Sequence, residues 1–114
     1  MNVVSFTQDG ITNLCLEGEL DHHAAKSVLA RIGQIIDAEL PRSVVLDLCA
    51  LSFMDSSGIA VVVHTFRRVK EIDGTLTVIN IPPHAFRIFR AAGLSRMIPM
   101  SERTQKQERR FPLR

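Results

Sequence analysis

Apolar positions in this chain of 114 residues follow two rhythms, one of strands and one of helices, that alternate along its length. Val3 to Phe6 and Ile11 to Leu16 are strand-like runs separated by Gln8-Asp9-Gly10, and Asp-Gly between two such runs is a hairpin signal. In the second run Ile11, Asn13, Cys15 and Glu17 share one face, and Thr12, Leu14, Leu16 and Gly18 the other. Neither face is cleanly polar, which predicts a sheet covered on one side and partly on the other. Gly18-Glu19-Leu20-Asp21-His22-His23 reads as a polar loop running into a helix, with Asp21 as its N-cap. Val28, Leu29, Ile32, Ile35, Ile36 and Leu40 recur at helical spacing and predict an amphipathic helix with one buried stripe, ended by Pro41.

Ser43 to Leu48 is a nearly continuous apolar run, the pattern of a central strand covered on both faces. The stretch from Leu51 then begins as the apolar end of a strand-and-loop unit and finishes inside a second helix. That helix is predicted to bury Ile59, Val62, Val63, Phe66 and Val69, with His64, Arg67, Arg68 and Glu71 away from the stripe. Asp73-Gly74 breaks it, and Thr75 to Ile81 is another β-rich run. Pro82-Pro83 opens a third helix with Ala85, Phe86, Ile88, Phe89 and Ala92 apolar and Gly93 as its C-terminal cap. A last short strand is expected at Met97-Ile98-Pro99. The order β-β-α-β-α-β-α-β predicts a single α/β domain, a mixed sheet of four to five strands with helices packed on it.

Composition adds little to that class: 46% apolar and 23% charged residues are ordinary for a soluble globular fold. No apolar run approaches the roughly 20 residues of a membrane span, and no signal peptide pattern opens the chain. A cytoplasmic location without membrane contact is expected. Charge placement says more. Five basic and two acidic residues fall from Ser101 onward, so the net +2 of the whole leaves −1 for Met1 to Met100. The basic character belongs to a tail, Ser101 to Arg114, read as a frayed helix or a disordered segment; without Trp or Tyr for stacking and without a basic face, nucleic acid is not an expected partner. Cys15 and Cys49 form no Cys-x-x-Cys pair and read as buried free thiols.

The candidate chemistry lies at Asp55-Ser56-Ser57, the junction into the second helix. Small polar residues there cap helices, and that use alone accounts for the triplet. The same place carries unpaired N–H groups and the positive end of the helix dipole, so it also tolerates an anion, a phosphate on serine included. A Ser-His-Asp hydrolase fits poorly: a nucleophile elbow needs Gly-x-Ser-x-Gly, and Met54 stands where the first glycine belongs. His22-His23 with Asp21 or Glu19 lacks a metal-ligand spacing. No phosphate-binding Gly-x-x-x-x-Gly-Lys occurs. Neither enzyme nor cofactor is expected from the residues.

Gly18-Glu19-Leu20-Asp21-His22-His23 and Leu51-Ser52-Phe53-Met54-Asp55-Ser56-Ser57-Gly58, with helix, strand and loop between them, resemble the STAS domain, and more narrowly the sporulation-type anti-sigma factor antagonists. The resemblance covers roughly Met1 to Met100. It implies a partner-switching protein: the unphosphorylated form binds an anti-sigma factor that is also a serine kinase and so frees a sigma factor. The kinase uses ATP to phosphorylate the serine that corresponds to Ser56, and a PP2C-type phosphatase reverses it. Asp21, His22, Met54, Asp55, Ser57 and Gly58 correspond to the surface around that serine where the partner docks. Two departures stand out. Cys49-Ala50 replaces an acidic, polar pair, and the end of the chain lacks the apolar face of the family's final helix. A non-switching STAS subunit of a transporter or signalling assembly is the alternative that the same fold allows.

Overall fold

The computed structural model describes residues 1–103. Its sheet is laid out around β2 (Ile11–Leu20), which turns back on β1 (Asn2–Gln8) through the hairpin expected at Asp9-Gly10. Both turn residues adopt positive φ, 56° and 80°, the backbone that a tight two-residue hairpin requires. The chain continues through α1 (His22–Glu39), β3 (Ser43–Asp47), β4 (Leu51–Met54), α2 (Ser57–Glu71), β5 (Thr75–Ile81), α3 (Pro83–Ala91), a 3-10 turn (Leu94–Arg96) and β6 (Met100–Glu102). The strands run in the order β1-β2-β3-β5-β6, all parallel except β1, and β4 pairs separately with β2.

The expected class stands, an α/β domain with a mixed sheet, but the described residues hold six strands in place of four to five. The extra one is β4. β2 is long enough to take two parallel partners in turn: residues 11–15 pair with β3, and Gly18 to Leu20 pair with β4 across a register shift between Gly18 and Glu19. Gly18 to Leu20 are therefore strand, not the polar loop that their composition suggested. β6 lies three residues beyond the expected Met97-Ile98-Pro99, because Pro99 has no N–H for a ladder and serves only as acceptor, its carbonyl taking the Val78 N–H at 3.0 Å. Ser101 and Glu102, assigned to the tail, thus belong to the sheet, and Arg103 after them donates its N–H to the Ile81 carbonyl at 2.7 Å. The rest of that tail lies outside the described residues.

One face of the sheet carries the core. Leu14, Leu16, Val44, Leu46, Leu76 and Val78 are buried beneath Val28, Ile32 and Ile36 of α1 and Val61, Val62 and Val69 of α2. The second helix meets the sheet about one residue out of the expected phase: Val61 and Thr65 are buried, whereas Ile59, Val63 and Phe66 are only partly so. Thr65 tolerates burial because its hydroxyl donates to the Val61 carbonyl one turn back at 2.7 Å. On the opposite face Val45 and Asp47 are half-buried, and Val4, Phe6 and Ile11 are 46%, 60% and 40% exposed. β3 is thus covered on one face by the described residues rather than on both. α1 ends where Pro41 disfavours further helix. Leu40 takes the left-handed cap at φ 45° and, against expectation, points away from the core at 64% exposure.

Candidate functional site

The two sequence motifs meet because β2 and β4 are parallel neighbours with Leu20 opposite Met54. Each strand leads directly into a helix, so α1 and α2 begin side by side at one edge of the sheet, at the carboxyl ends of the strands, where α/β folds usually place their binding sites. The Asp55 N–H, donated to the Leu20 carbonyl at 3.3 Å, ties the second junction to the first.

The expected cap of α1 is present. Asp21 has an extended backbone and its Oδ1 accepts the Ala24 N–H at 2.9 Å, the ordinary geometry of an N-cap. At α2 the roles are displaced by one residue. Ser56 occupies the cap position but has helical φ and ψ, −64° and −13°, and makes no capping hydrogen bond. Asp55 caps in its place, its Oδ1 accepting the Ser57 N–H at 2.8 Å. Its other oxygen, Oδ2, accepts the His22 N–H of α1 at 3.2 Å, so one carboxylate serves both helix starts. The Ser57 N–H above all, then the Ser57 hydroxyl and His22, hold the Asp55 carboxyl below its ordinary range. The triplet is thus an N-cap through Asp55, and the Ser56 hydroxyl is left exposed at the surface and free of that duty.

The other expected site residues divide into surface and support. His22 is exposed beside His23, their rings 5.9 Å apart. Ser57 is half-buried. Met54 and Gly58, expected on the docking surface, are instead buried against each other. Met54 is 2% exposed, and a Cβ built on Gly58 would lie 2.3 Å from its sulfur. Their role is to set the first turn of α2 down onto β4, which fixes where Ser56 points.

Sequence reading missed a surface aromatic here. Phe53, 45% exposed on β4, stacks on His84 at the start of α3 with ring centroids 6.4 Å apart. A lone Phe in a short apolar run reads as core, and only the tertiary meeting of β4 with α3 shows it as a surface aromatic three residues from Ser56. A cleft of about 410 Å³ beside the site is lined by Met1, Glu19, Asp21, His23, Ala24 and Ser27. Among the described residues no group of three His, Cys, Asp or Glu side chains is placed to hold a metal ion, and no helix is long and apolar enough to cross a membrane.

This arrangement has counterparts. The STAS domain matches residues 2–107. An anti-sigma F factor antagonist of Paenibacillus polymyxa is 31% identical over 91 residues, 80% of this chain and 78% of its own length. The solved structure of the anti-sigma factor antagonist SpoIIAA in its unphosphorylated form superimposes with a TM-score of 0.76 at 27% identity, covering 94% of this chain and 92% of that one. The Bacillus cell fate determinant SpoIIAA in its phosphorylated form does so with a TM-score of 0.69 at 26% identity, covering 99% and 100%. By fold, by its two motifs and by these likenesses, the chain belongs to the STAS domain family and stands with its anti-sigma factor antagonists.

Proposed function

We propose that this chain is an anti-sigma factor antagonist switched by phosphorylation of Ser56. Unphosphorylated, it binds an anti-sigma factor that is also a serine kinase and so releases a sigma factor. The kinase transfers phosphate from ATP to Ser56, and a PP2C-type phosphatase removes it. The chain itself then needs no cofactor and catalyses nothing. The observation that carries the reading is the displaced cap: Ser56 stands exposed between two helix starts with a hydroxyl that no capping bond requires. The relatedness to a protein solved in both unphosphorylated and phosphorylated forms supports it.

The mechanism is local electrostatics. A phosphate brings about −1.5 to −2 charges. The first amides of α2 are already engaged, Ser57 N–H by Asp55 Oδ1, Gly58 N–H by the Asp55 carbonyl at 3.1 Å and Ile59 N–H by the Ser56 carbonyl at 3.0 Å. The new charge therefore finds those three donors taken and lies beside the Asp55 carboxylate, with the helix dipoles to offset it through space. It faces outward, toward whatever docks, and the domain has no need to refold. A bound partner would have to desolvate that charge beside a carboxylate; a cost of about 1.4 kcal/mol already weakens binding tenfold. Around Ser56, the exposed His22, the half-buried Asp21 and Ser57, and Phe53 stacked on His84 make up the docking surface of this reading.

The test is binding of the purified chain to the anti-sigma factor kinase of the same cells, with Ser56→Ala and Ser56→Asp compared. Ser56→Ala is expected to bind and to take no phosphate from ATP, and Ser56→Asp to bind at least tenfold more weakly. Equal affinities, with no phosphate transferred to the wild-type chain, would sink the switch and leave a constitutive STAS subunit.

A further inference from the structure

Cys15 and Cys49 depart most from what the sequence suggested. They are not buried: both are half-exposed on the sheet face that the described residues leave open. They are also not apart. In the parallel register of β2 and β3, Cys15 lies opposite Asp47. Cys49 follows Asp47 by two residues and is folded back on it, its N–H donated to Asp47 Oδ1 at 3.0 Å. That turn sets both cysteines against one carboxylate, Asp47, with the Cys49 thiol beside that of Cys15. The turn is held from the other side as well, by the Arg103 guanidinium on the Cys49 carbonyl at 2.8 Å and by the Asn80 amide on Asp47 Oδ1 at 3.2 Å. Cys15 and Asp47 sit on neighbouring strands, which lie about 4.8 Å apart, and the turn returns Cys49 to the Asp47 carboxylate in place of carrying it on along the strand.

We infer that Cys15 and Cys49 are an oxidative modification site, a dithiol that closes to an intramolecular disulfide on exchange with a small-molecule disulfide of the glutathione class. One protein thiol, deprotonated, attacks a sulfur of the small disulfide; that S–S bond breaks and one small thiol leaves. The second protein thiolate then attacks the protein sulfur of the mixed disulfide and expels the other small thiol. The protein loses two protons and two electrons, and the reagent is reduced to two thiols. The second step is intramolecular, so proximity favours closure over accumulation of the mixed form.

The surroundings set the pace. Partial burial first, then the Asp47 charge and hydrogen bond and the nearby Cys15, push the Cys49 thiol up to about 11, with Arg103 opposing. Burial, Asp47 and Glu17 raise Cys15, with the hydrogen bond from Cys49 opposing. The thiolate is therefore scarce near neutrality, and closure is slow there, speeding up about tenfold per pH unit between pH 7 and 9. Such a pair responds to sustained oxidation rather than to a brief pulse. This assignment is independent of the partner reading.

The test uses the full 114-residue chain, reduced and then incubated with oxidised glutathione at alkaline pH. The expected product is a monomer lighter by two hydrogens, with both thiols lost to a thiol-titrating reagent and a peptide joining Cys15 to Cys49. Its Tm rises by about 10 °C, because the bond closes a long loop in the unfolded chain. Dithiothreitol reverses all of this. Cys15→Ser and Cys49→Ser stop at the glutathione adduct. A wild-type chain that also stops at adducts, links only to a second chain, or keeps both thiols while a control dithiol is oxidised would overturn the assignment.

Discussion

The starts of α1 and α2 lie side by side and are built from the same materials, yet they spend them differently. At α1 the cap residue caps: Asp21 is extended and its side chain closes on Ala24, within its own helix. At α2 the duty moves one residue upstream, and Asp55 holds its own helix with one oxygen and the neighbouring helix with the other. Capping is done in both places, but only the second leaves a hydroxyl over. A serine at a helix start is ordinarily consumed by the backbone; here an aspartate before it relieves it of that work. What frees a serine at a helix start from capping is the residue that precedes it.

That comparison can be broken most severely from below. Gly58→Ala drives a Cβ into the Met54 side chain and tilts the first turn of α2 off β4. Overpacking of this kind is expected to lower the Tm by about 5–15 °C, checked by calorimetry, whereas the glycine-to-alanine change at Gly33, where a Cβ meets nothing closer than 3.7 Å, is tolerated.

Removing the shared cap comes next. Asp55→Ala is expected to lower the Tm at pH 7 by about 5–10 °C, since donors on two helices lose their acceptor. The effect has a pH signature. Asp55 titrates below its ordinary range in the folded chain, first through the Ser57 N–H, so its contribution is complete above the unfolded value of about 4 and is lost as pH falls through the lower folded value. The gap in Tm between wild type and Asp55→Ala should therefore close on acidification and stay constant from pH 5 upward. A gap that does not narrow at all between pH 5 and pH 2 would mean that Asp55 does not act through its charge.

The smallest effect sharpens the comparison most. Asp21→Ala and Ser56→Ala remove the side chain at the formal cap position of each helix. Asp21→Ala is expected to lower the Tm by about 3–6 °C and Ser56→Ala by less than about 2 °C, read from paired thermal melts. Equal losses would show Ser56 to be an ordinary cap after all.

Much of this was legible in the sequence where the deciding interactions are local. Asp9-Gly10 set its own turn, Asp21 capped the helix that followed it, and Gly93 took the left-handed conformation, φ 79°, after α3. What escaped depended on partners distant in the chain. β4 has four residues without period-2 alternation and exists because the far end of β2 is free to pair with it. The phase of α2 was off by a residue because Thr65, polar by composition, finds its acceptor inside the helix. Met54 and Gly58 were placed correctly in sequence but at the wrong depth, since nothing local says that a glycine cradles a thioether. The sharing of Asp55 between two helices has no sequence signal at all; it needs two strand ends brought together.

β1 carries a consequence of another kind. It is a seven-residue edge strand, Asn2 to Gln8, with no charged residue and no proline, and Val4 and Phe6 stand exposed on it. Among the described residues nothing pairs with its outer side. Edges of that length and composition invite a second strand, and natural proteins usually guard them with lysine, proline or a bulge. Pairing of such an edge with a second chain grows with concentration, so crowding rather than heat is the stress to which this end of the sheet is most open.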